Sequence, residues 1–165
     1  MPFGGGGALH AGALVREIGL AAAIVPRFPG VNSALGCVMS DLRHDEVRTL
    51  NRMLDTLDCE ALTAMIAEIT ASSEEVIKRS KASIDGLEAV IELDMLYLGQ
   101  THAVAVPLPV SDNGITTRAI RAAFDASYRR TFGRLLENIP VRVLNLRLSV
   151  IGKRPEVDIA SLACG

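Results

Sequence analysis

The chain has 165 residues, of which 49% are hydrophobic and 22% are charged, so it can bury a core and is too apolar to be intrinsically disordered. Seventeen basic and nineteen acidic residues give a formal net charge of −2, with no Trp, two Tyr and four Phe. This composition lacks the basic surface and the stacking aromatics of nucleic-acid-binding proteins, so we expect no nucleic-acid partner. The longest apolar stretch, Ala8–Val25, contains Arg16 and Glu17, so no membrane-spanning helix is predicted.

The cysteines, Cys37, Cys59 and Cys164, lie far apart and form no Cys-x-x-Cys pair. This spacing argues against a disulfide framework or a zinc ribbon, and with no recognisable signal peptide it favours the cytoplasm. The mean hydropathy of +0.30 is high for a soluble chain of this size. Alanine content explains it most simply, and a surface that a partner subunit covers is the alternative.

The first forty residues predict a glycine loop followed by short elements. Gly4–Gly7 precede an apolar helix over Ala8–Ile18. Ala21–Val25 has the composition of a short buried strand. A proline and glycine loop follows, and then a second short helix that Asn32 or Ser33 could cap.

The pattern changes after residue 40. A polar strand over 42–50 leads into a long amphipathic helix, with apolar residues three and four apart from Leu57 to Ile77. Alternating residues over 88–108 predict a hairpin, Thr116 or Thr117 opens another helix, and alternation over 144–150 predicts a last strand. The order βαββαβ predicts an α+β domain of the ferredoxin-like sandwich type, and residues 153–165 form a tail without a pattern.

Gly4, Gly5, Gly6 and Gly7 are the best candidate site. Exposed amides at a helix N-terminus, approached by a loop without side chains, suit a phosphate or nucleotide, and His10 lies one turn into that helix. The segment has no Gly-Lys-Ser/Thr sequence and no room for a full strand before it, so it is neither a Walker loop nor a Rossmann turn. A flexible linker remains an equal alternative.

Other polar groups are weaker candidates. His44 with Asp41, Asp45 and Glu46 could form a metal cluster, but a solvated polar strand is the favoured interpretation. His102 alternates with apolar residues and is expected to be partly buried. No nucleophile motif is present, so no catalytic residue is assigned.

Several segments, in order along the chain, resemble the hydantoinase A/oxoprolinase family. The first two are the most specific, and the resemblance extends to about Gly152. The segments are Phe3–Ala11, Pro29–Gly36, Asp41–Thr49, Leu96–Gln100 and Val143–Leu148.

The resemblance implies that residues 1–40 are the C-terminal piece of an actin-like ATPase domain and that 41–152 form the ferredoxin-like domain. It also implies that Gly4, Gly5, Gly6 and Gly7 line the site of ATP, with His10 close by, and that Mg²⁺ is held mainly by a partner. The phosphate-gripping loops of the family lie upstream of these motifs. We therefore expect this chain to complete the ATPase domain of a larger hydantoinase-A-like subunit.

Within the family, this arrangement is similar to the hetero-oligomeric ATP-dependent ketone carboxylases of the acetophenone carboxylase type, in which further subunits take part. The expected function is that of their small subunit, inactive alone. A subunit of an ATP-dependent hydrolase of cyclic amides, like hydantoinase or oxoprolinase, is a second interpretation. A non-catalytic structural subunit is a third.

Overall fold

A computed structural model describes residues 1–2, 4–108 and 114–156. The packing of the backbone divides the chain into a first unit that contains Met1–Asp41 and a second that comprises Leu42–Pro155. No helix among the described residues is both long enough and apolar enough to cross a membrane. The elements are α1 (Gly7–Ile18), α2 (Asn32–Met39), β1 (Leu42–Met53), α3 (Cys59–Arg79), β2 (Gly86–Tyr97), β3 (Val104–Pro107), α4 (Thr117–Phe132) and β4 (Val141–Lys153).

The second unit is a two-layer α+β sandwich, which confirms the predicted fold class and the order βαββαβ. Its four strands lie in the order β1-β4-β2-β3, and every neighbouring pair is antiparallel. Strand β4 therefore lies between β1 and β2, and β2 lies between β4 and β3. Helices α3 and α4 connect the separated strands and bury one face of the sheet.

Both helices of this unit begin at a residue whose side chain caps them, and for α4 it is Thr116, one of the two predicted threonines. The Asp58 carboxylate accepts hydrogen bonds from the amides of Glu60 and Ala61 at 3.0 Å. The Thr116 hydroxyl accepts one from the Ala119 amide at 3.2 Å, and α4 ends at Gly133, whose φ is 76°. These caps satisfy amides that have no partner within a helix, so the sequence alone determines where each helix starts.

The core lies between the helices and the sheet and centres on an aromatic cluster. The Tyr97 ring lies edge-on to Phe124 at 5.0 Å and to Tyr128 at 4.8 Å between ring centroids. Both helices and the two central strands contribute fully enclosed side chains to it. Among them are Leu93, Met95, Ile120, Leu146, Leu148 and Val150.

A β-bulge in the last strand changes which side chains are buried. Asn145 pairs with Asp94 and Val143 pairs with Met95, so Leu144 has no partner on β2. Val143 and Leu146 are both fully buried, whereas Leu144 is only half-buried. The predicted alternation from 144 to 150 was wrong at Leu144 because the extra residue shifts the period by one.

The first unit contains α1, α2 and irregular connections. Helix α1 ends at Gly19 in the left-handed conformation, with φ 69°. The strand predicted over Ala21–Val25 was wrong, because these residues are exposed and belong to none of the strands in the described part of the chain. A strand needs a neighbour for its amides and carbonyls, and apolar composition alone does not supply one. The predicted cap of α2 was also wrong, since the N-cap is Val31 and no side chain caps the helix.

Candidate functional site

The glycine loop turns directly into the first helix. Gly4 has φ 88°, and its carbonyl accepts a hydrogen bond from the Gly7 amide at 3.3 Å. Gly6 is the N-cap of α1, and no side chain caps the helix there. The amides of the first helical turn consequently lack a side-chain acceptor, which makes this end of α1 suited to an anion.

A second segment reaches the same place. The Gly4 amide donates to the Pro29 carbonyl at 3.0 Å, which joins the glycine loop to the loop before α2. Helix α1 begins three residues after Gly4, and α2 begins three residues after Pro29. The two most specific sequence motifs therefore meet, and two uncapped helix N-termini flank their junction.

The glycines here are not explained by crowding within the chain. A Cβ atom at Gly5 or Gly6 would meet no heavy atom within 4 Å, and at Gly7 it would lie at an ordinary 3.7 Å from Pro2. Only Gly4 needs glycine for its backbone, because positive φ is costly for other residues. The bare surface at Gly5 and Gly6 is therefore open to approach by a group from outside the chain.

His10 and the loop before α2 also contribute residues to this site. The His10 side chain is exposed on α1, one turn after the glycines. The sequence prediction of site residues omitted Pro29 and Asn32, which lie on the opposite side of the junction. Their motif was visible in the sequence, but only the Gly4–Pro29 hydrogen bond shows that the two loops meet.

Several polar side chains of β1, among them Asp45 and Glu46, form ion pairs and hydrogen bonds. Arg43 and the Ser149 hydroxyl both donate to the Asp45 carboxylate and hold its pKa below the usual range, with Ser149 the larger cause. Glu46 pairs with Arg48. Within the described residues, no three His, Cys, Asp or Glu side chains are placed to share a metal ion.

His102 is exposed and lies just before β3, so the prediction that it is partly buried was wrong. The alternation that suggested burial begins two residues later, at Val104. His102 lies in the hairpin turn and not in the sheet. Its Nδ1 atom is 3.0 Å from the Thr101 hydroxyl oxygen.

Comparison with known proteins confirms the resemblance found in the motifs. Residues 1–46 match the sequence model of the hydantoinase/oxoprolinase family. The matched segment includes both loops of the candidate site and both flanking helices.

Nearly the whole chain is similar to longer proteins. It is 27% identical over 97% of its length to caprolactamase subunit alpha of Pseudomonas jessenii, and 27% identical over 94% to an uncharacterized protein of Methanocaldococcus jannaschii. It spans 24% and 22% of those two proteins.

Two solved structures share the fold. The nucleotide-free structure of an acetone carboxylase superposes with a TM-score of 0.75 at 24% identity, over 96% of this chain and 24% of that one. The crystal structure of the ATP-dependent caprolactamase from Pseudomonas jessenii gives 0.62 at 28% identity, over 94% of this chain and 24% of that one.

Proposed function

We propose that this relative of the hydantoinases and oxoprolinases is part of an ATP-dependent enzyme, in which its glycine loop binds the nucleotide. The observation that carries this proposal is the junction of Gly4 with Pro29, flanked by two uncapped helix N-termini. Backbone amides and helix dipoles favour phosphate, and the bare surface of Gly5 and Gly6 leaves room for it. The comparison with an ATP-dependent caprolactamase supports the same conclusion.

The donors present fit a phosphate group better than they fit a magnesium ion. Gly5, Gly6 and Ala8 supply amide donors that the Gly7–Gly4 and Leu9–Gly6 hydrogen bonds do not use, and exposed His10 is a further polar group on the same helix. Amide N–H groups donate to an anion and do not coordinate a cation, so in this proposal Mg²⁺ is held mainly by a partner. When bound, ATP supplies a phosphoryl group that gives a poor electrophile a leaving group.

The partner is a larger hydantoinase-A-like subunit whose ATPase domain this chain completes. Support comes from the large apolar side chains that the first unit leaves exposed, which include Leu9 at 84%, Ile24 at 71% and Val38 at 62%. Of the residues described before Leu42, only Ala11 is a buried apolar residue. A unit that buries so little of its own apolar surface gains stability when another polypeptide covers it.

Two reactions are candidates for the assembled enzyme. Carboxylation of a ketone, of the acetophenone carboxylase type, follows from the motif resemblance, and the acetone carboxylase structure shares the fold. Hydrolysis of a cyclic amide is favoured by the 27% identity to caprolactamase subunit alpha over 97% of the chain. A non-catalytic structural role for this chain is the remaining candidate.

Turnover of ATP by the purified assembly separates the two reactions. Phosphate release that requires both a ketone and bicarbonate identifies the carboxylase, whereas release that a lactam alone stimulates identifies the hydrolase. We expect the lone chain to bind ATP weakly or not at all, because it presents one side of the site. Tight binding of ATP by the lone chain would contradict a shared site.

A substitution in the glycine loop tests the structural alternative. In Gly5→Val, the side chain occupies open surface in this chain, so folding of the chain itself is expected to change little. If the loop binds nucleotide, ATP turnover of the assembly falls at least about tenfold while the assembly stays intact. Gly86→Val, also in open space but at the start of β2 and outside both loops of the site, is the matched control. Loss of the assembly in Gly5→Val alone would instead indicate that the loop packs against the partner.

A further inference from the structure

A β-bulge near the end of β1 places Arg52 on the helix side of the sheet. Thr49 pairs with Asn145 and Arg52 pairs with Val143, so two residues of β1 lie opposite one residue of β4. Asn51, within this bulge, has φ 47°. Paired residues of neighbouring strands lie on the same face of a sheet, and the Val143 side chain is fully buried in the core. Arg52 therefore lies on the face that the helices cover, but on the edge strand, where it remains exposed.

Asp58 brings a carboxylate to the same side, at the start of α3. The two amides that it caps, those of Glu60 and Ala61, both donate to its Oδ1 atom. No described residue donates to its Oδ2 atom, and the residue is exposed. Asp58 can therefore cap the helix with one oxygen and accept hydrogen bonds from a ligand with the other.

The connection between these two residues is short and hydrogen-bonded. It contains a 3-10 turn, Leu54–Thr56, after which the Leu57 amide donates to the Leu54 carbonyl at 3.2 Å. The Thr56 hydroxyl donates to the Met53 carbonyl at 3.3 Å, and Leu54 is buried in the core. The backbone of this connection is thus fixed before any ligand arrives, which lowers the entropy cost of binding.

Arg52 and Asp58 line one cavity of about 350 Å³ between the end of β1 and the first turns of α3. Among the described residues, Arg52 forms no ion pair, either with Asp58 or with any other carboxylate. The rest of the lining is mostly apolar and includes Leu57, Leu62 and Met65. One cavity therefore combines a cation without a partner, a carboxylate with an unused oxygen and an apolar wall.

We propose that this cavity binds an aliphatic amino acid. Its carboxylate contacts the Arg52 guanidinium, its ammonium contacts Asp58 Oδ2, and its carbon chain lies on Leu57 and Met65. A simple carboxylate would bring negative charge to a wall that already carries Asp58, and a simple amine would bring positive charge to Arg52. A zwitterion matches both charges and adds no net charge to the cavity.

The amino acid comes from one of two sources. It is either an α-amino acid, with both charged groups attached to one carbon, or an ω-amino acid, with the groups at opposite ends of the chain. Hydrolysis of a lactam releases an ω-amino acid, so the second source would make this cavity a product site of the lactam hydrolase considered above.

Four probes of six carbons each test this site on the full chain. Norleucine is the α-amino acid, 6-aminohexanoate is the ω-amino acid, hexanoate has only the carboxylate and hexylamine has only the ammonium. The chain is labelled with ¹³C in its methionine methyl groups, and binding is followed by the shift of the Met65 signal, which Met65→Leu identifies. Met95 is fully buried in the core, so its signal is the internal control and should not shift.

We expect at least one of the two amino acids to bind at least about fivefold more tightly than both hexanoate and hexylamine. The reason is that each probe with a single charge leaves either Arg52 or Asp58 without a partner. If hexanoate or hexylamine binds as tightly as both amino acids, or if no probe shifts the Met65 signal, the proposal is overturned on the native chain alone.

Variants assign each charged group of the ligand to its partner. Asp58→Asn removes the charge but keeps a residue that caps helices well, and it should abolish the preference over hexanoate. Arg52→Gln should abolish the preference over hexylamine. Arg79→Gln, at the opposite end of α3, is the matched control and should leave all four affinities unchanged. Unchanged preferences in both Asp58→Asn and Arg52→Gln would place the ligand elsewhere and contradict the proposal.

The two amino acids then identify the class of ligand. Tighter binding of 6-aminohexanoate identifies an ω-amino acid, and tighter binding of norleucine identifies an α-amino acid. No readout involves ATP or turnover, so this proposal and the proposed function can fail separately.

Discussion

The two units of this chain differ in how much of their apolar side-chain surface they bury. In Leu42–Pro155 the large apolar residues alternate along strands or recur along helices, and they converge on one core that encloses Leu93 and Phe124 completely. In Met1–Asp41 the apolar residues are as frequent, but Leu9, Ile24 and Val38 are more than half exposed. The second unit buries its apolar side chains against one another, whereas the first leaves several large apolar side chains exposed. Composition therefore does not tell whether a segment is self-sufficient, since that depends on whether its apolar faces meet one another.

The largest expected difference between the units is in hydrogen exchange. In the isolated chain, amides of residues 1–40 should exchange with solvent orders of magnitude faster than those of the strands and helices in Leu42–Pro155. The reason is that few buried contacts oppose opening of the first unit. Mass spectrometry after timed exchange measures this difference, and the first unit should become protected in the assembly. Uniform protection of the isolated chain would contradict the comparison.

Truncation of apolar side chains should show the same contrast. Phe124→Ala removes a fully enclosed ring and should lower the free energy of unfolding by about 3–5 kcal/mol. Leu9→Ala removes a side chain that is 84% exposed and should change it by less than about 0.5 kcal/mol. Urea denaturation followed by circular dichroism gives both values. A large cost for Leu9→Ala in the isolated chain would show that the first unit packs internally.

Two glycine substitutions test how tightly the side chains of the second unit are packed. A Cβ atom at Gly152 would lie 2.8 Å from Ile77 Cγ2 and 3.2 Å from Ile84 Cγ2, so Gly152→Ala forces packed side chains apart. We expect a loss of about 1–3 kcal/mol in the free energy of unfolding. Gly86→Ala, at the start of β2 with no atom within 4 Å of its Cβ position, is the control and should change little. Equal stabilities of the two variants would show that α3 moves freely over the sheet.

The smallest expected effect concerns the open face of the sheet. The Ser149 hydroxyl and Arg43 hold the pKa of Asp45 below its ordinary value of 3.8, so the unfolded chain binds the proton more tightly. The resulting stability is present above pH 3.8 and is lost as the pH falls through the lower folded pKa.

We therefore expect Asp45→Asn to cost less than about 1 kcal/mol at pH 7, because Asp45 is well exposed. The difference in free energy of unfolding between Asp45→Asn and the native chain should become smaller as the pH is lowered. Urea denaturation at a series of pH values measures this difference. If this difference became larger in acid, Asp45 would stabilise the fold through a contact other than those with Ser149 and Arg43.

The sequence alone determined most of the local structure. Thr116 caps α4 as expected, Asp58 caps α3, Gly19 and Gly133 end α1 and α4, and apolar periodicity indicated α3, α4 and the strands β2, β3 and β4, whereas β1 was predicted from a polar segment. These features depend on residues within one helical turn of each other, or on a period repeated along one element. The glycine motif could likewise be recognised from the sequence as a candidate anion-binding site, and the identity of its ligand is a proposal.

Only the tertiary structure decided how those elements meet. It placed β4 between β1 and β2, shifted the period at Leu144, left Ala21–Val25 outside all the described strands, and joined Gly4 to Pro29. It also placed Arg52 opposite Val143, on the face of the sheet that the helices cover. Each of these depends on contacts between residues far apart in the chain, and no local pattern of hydrophobicity or capping specifies which distant surface an element will face.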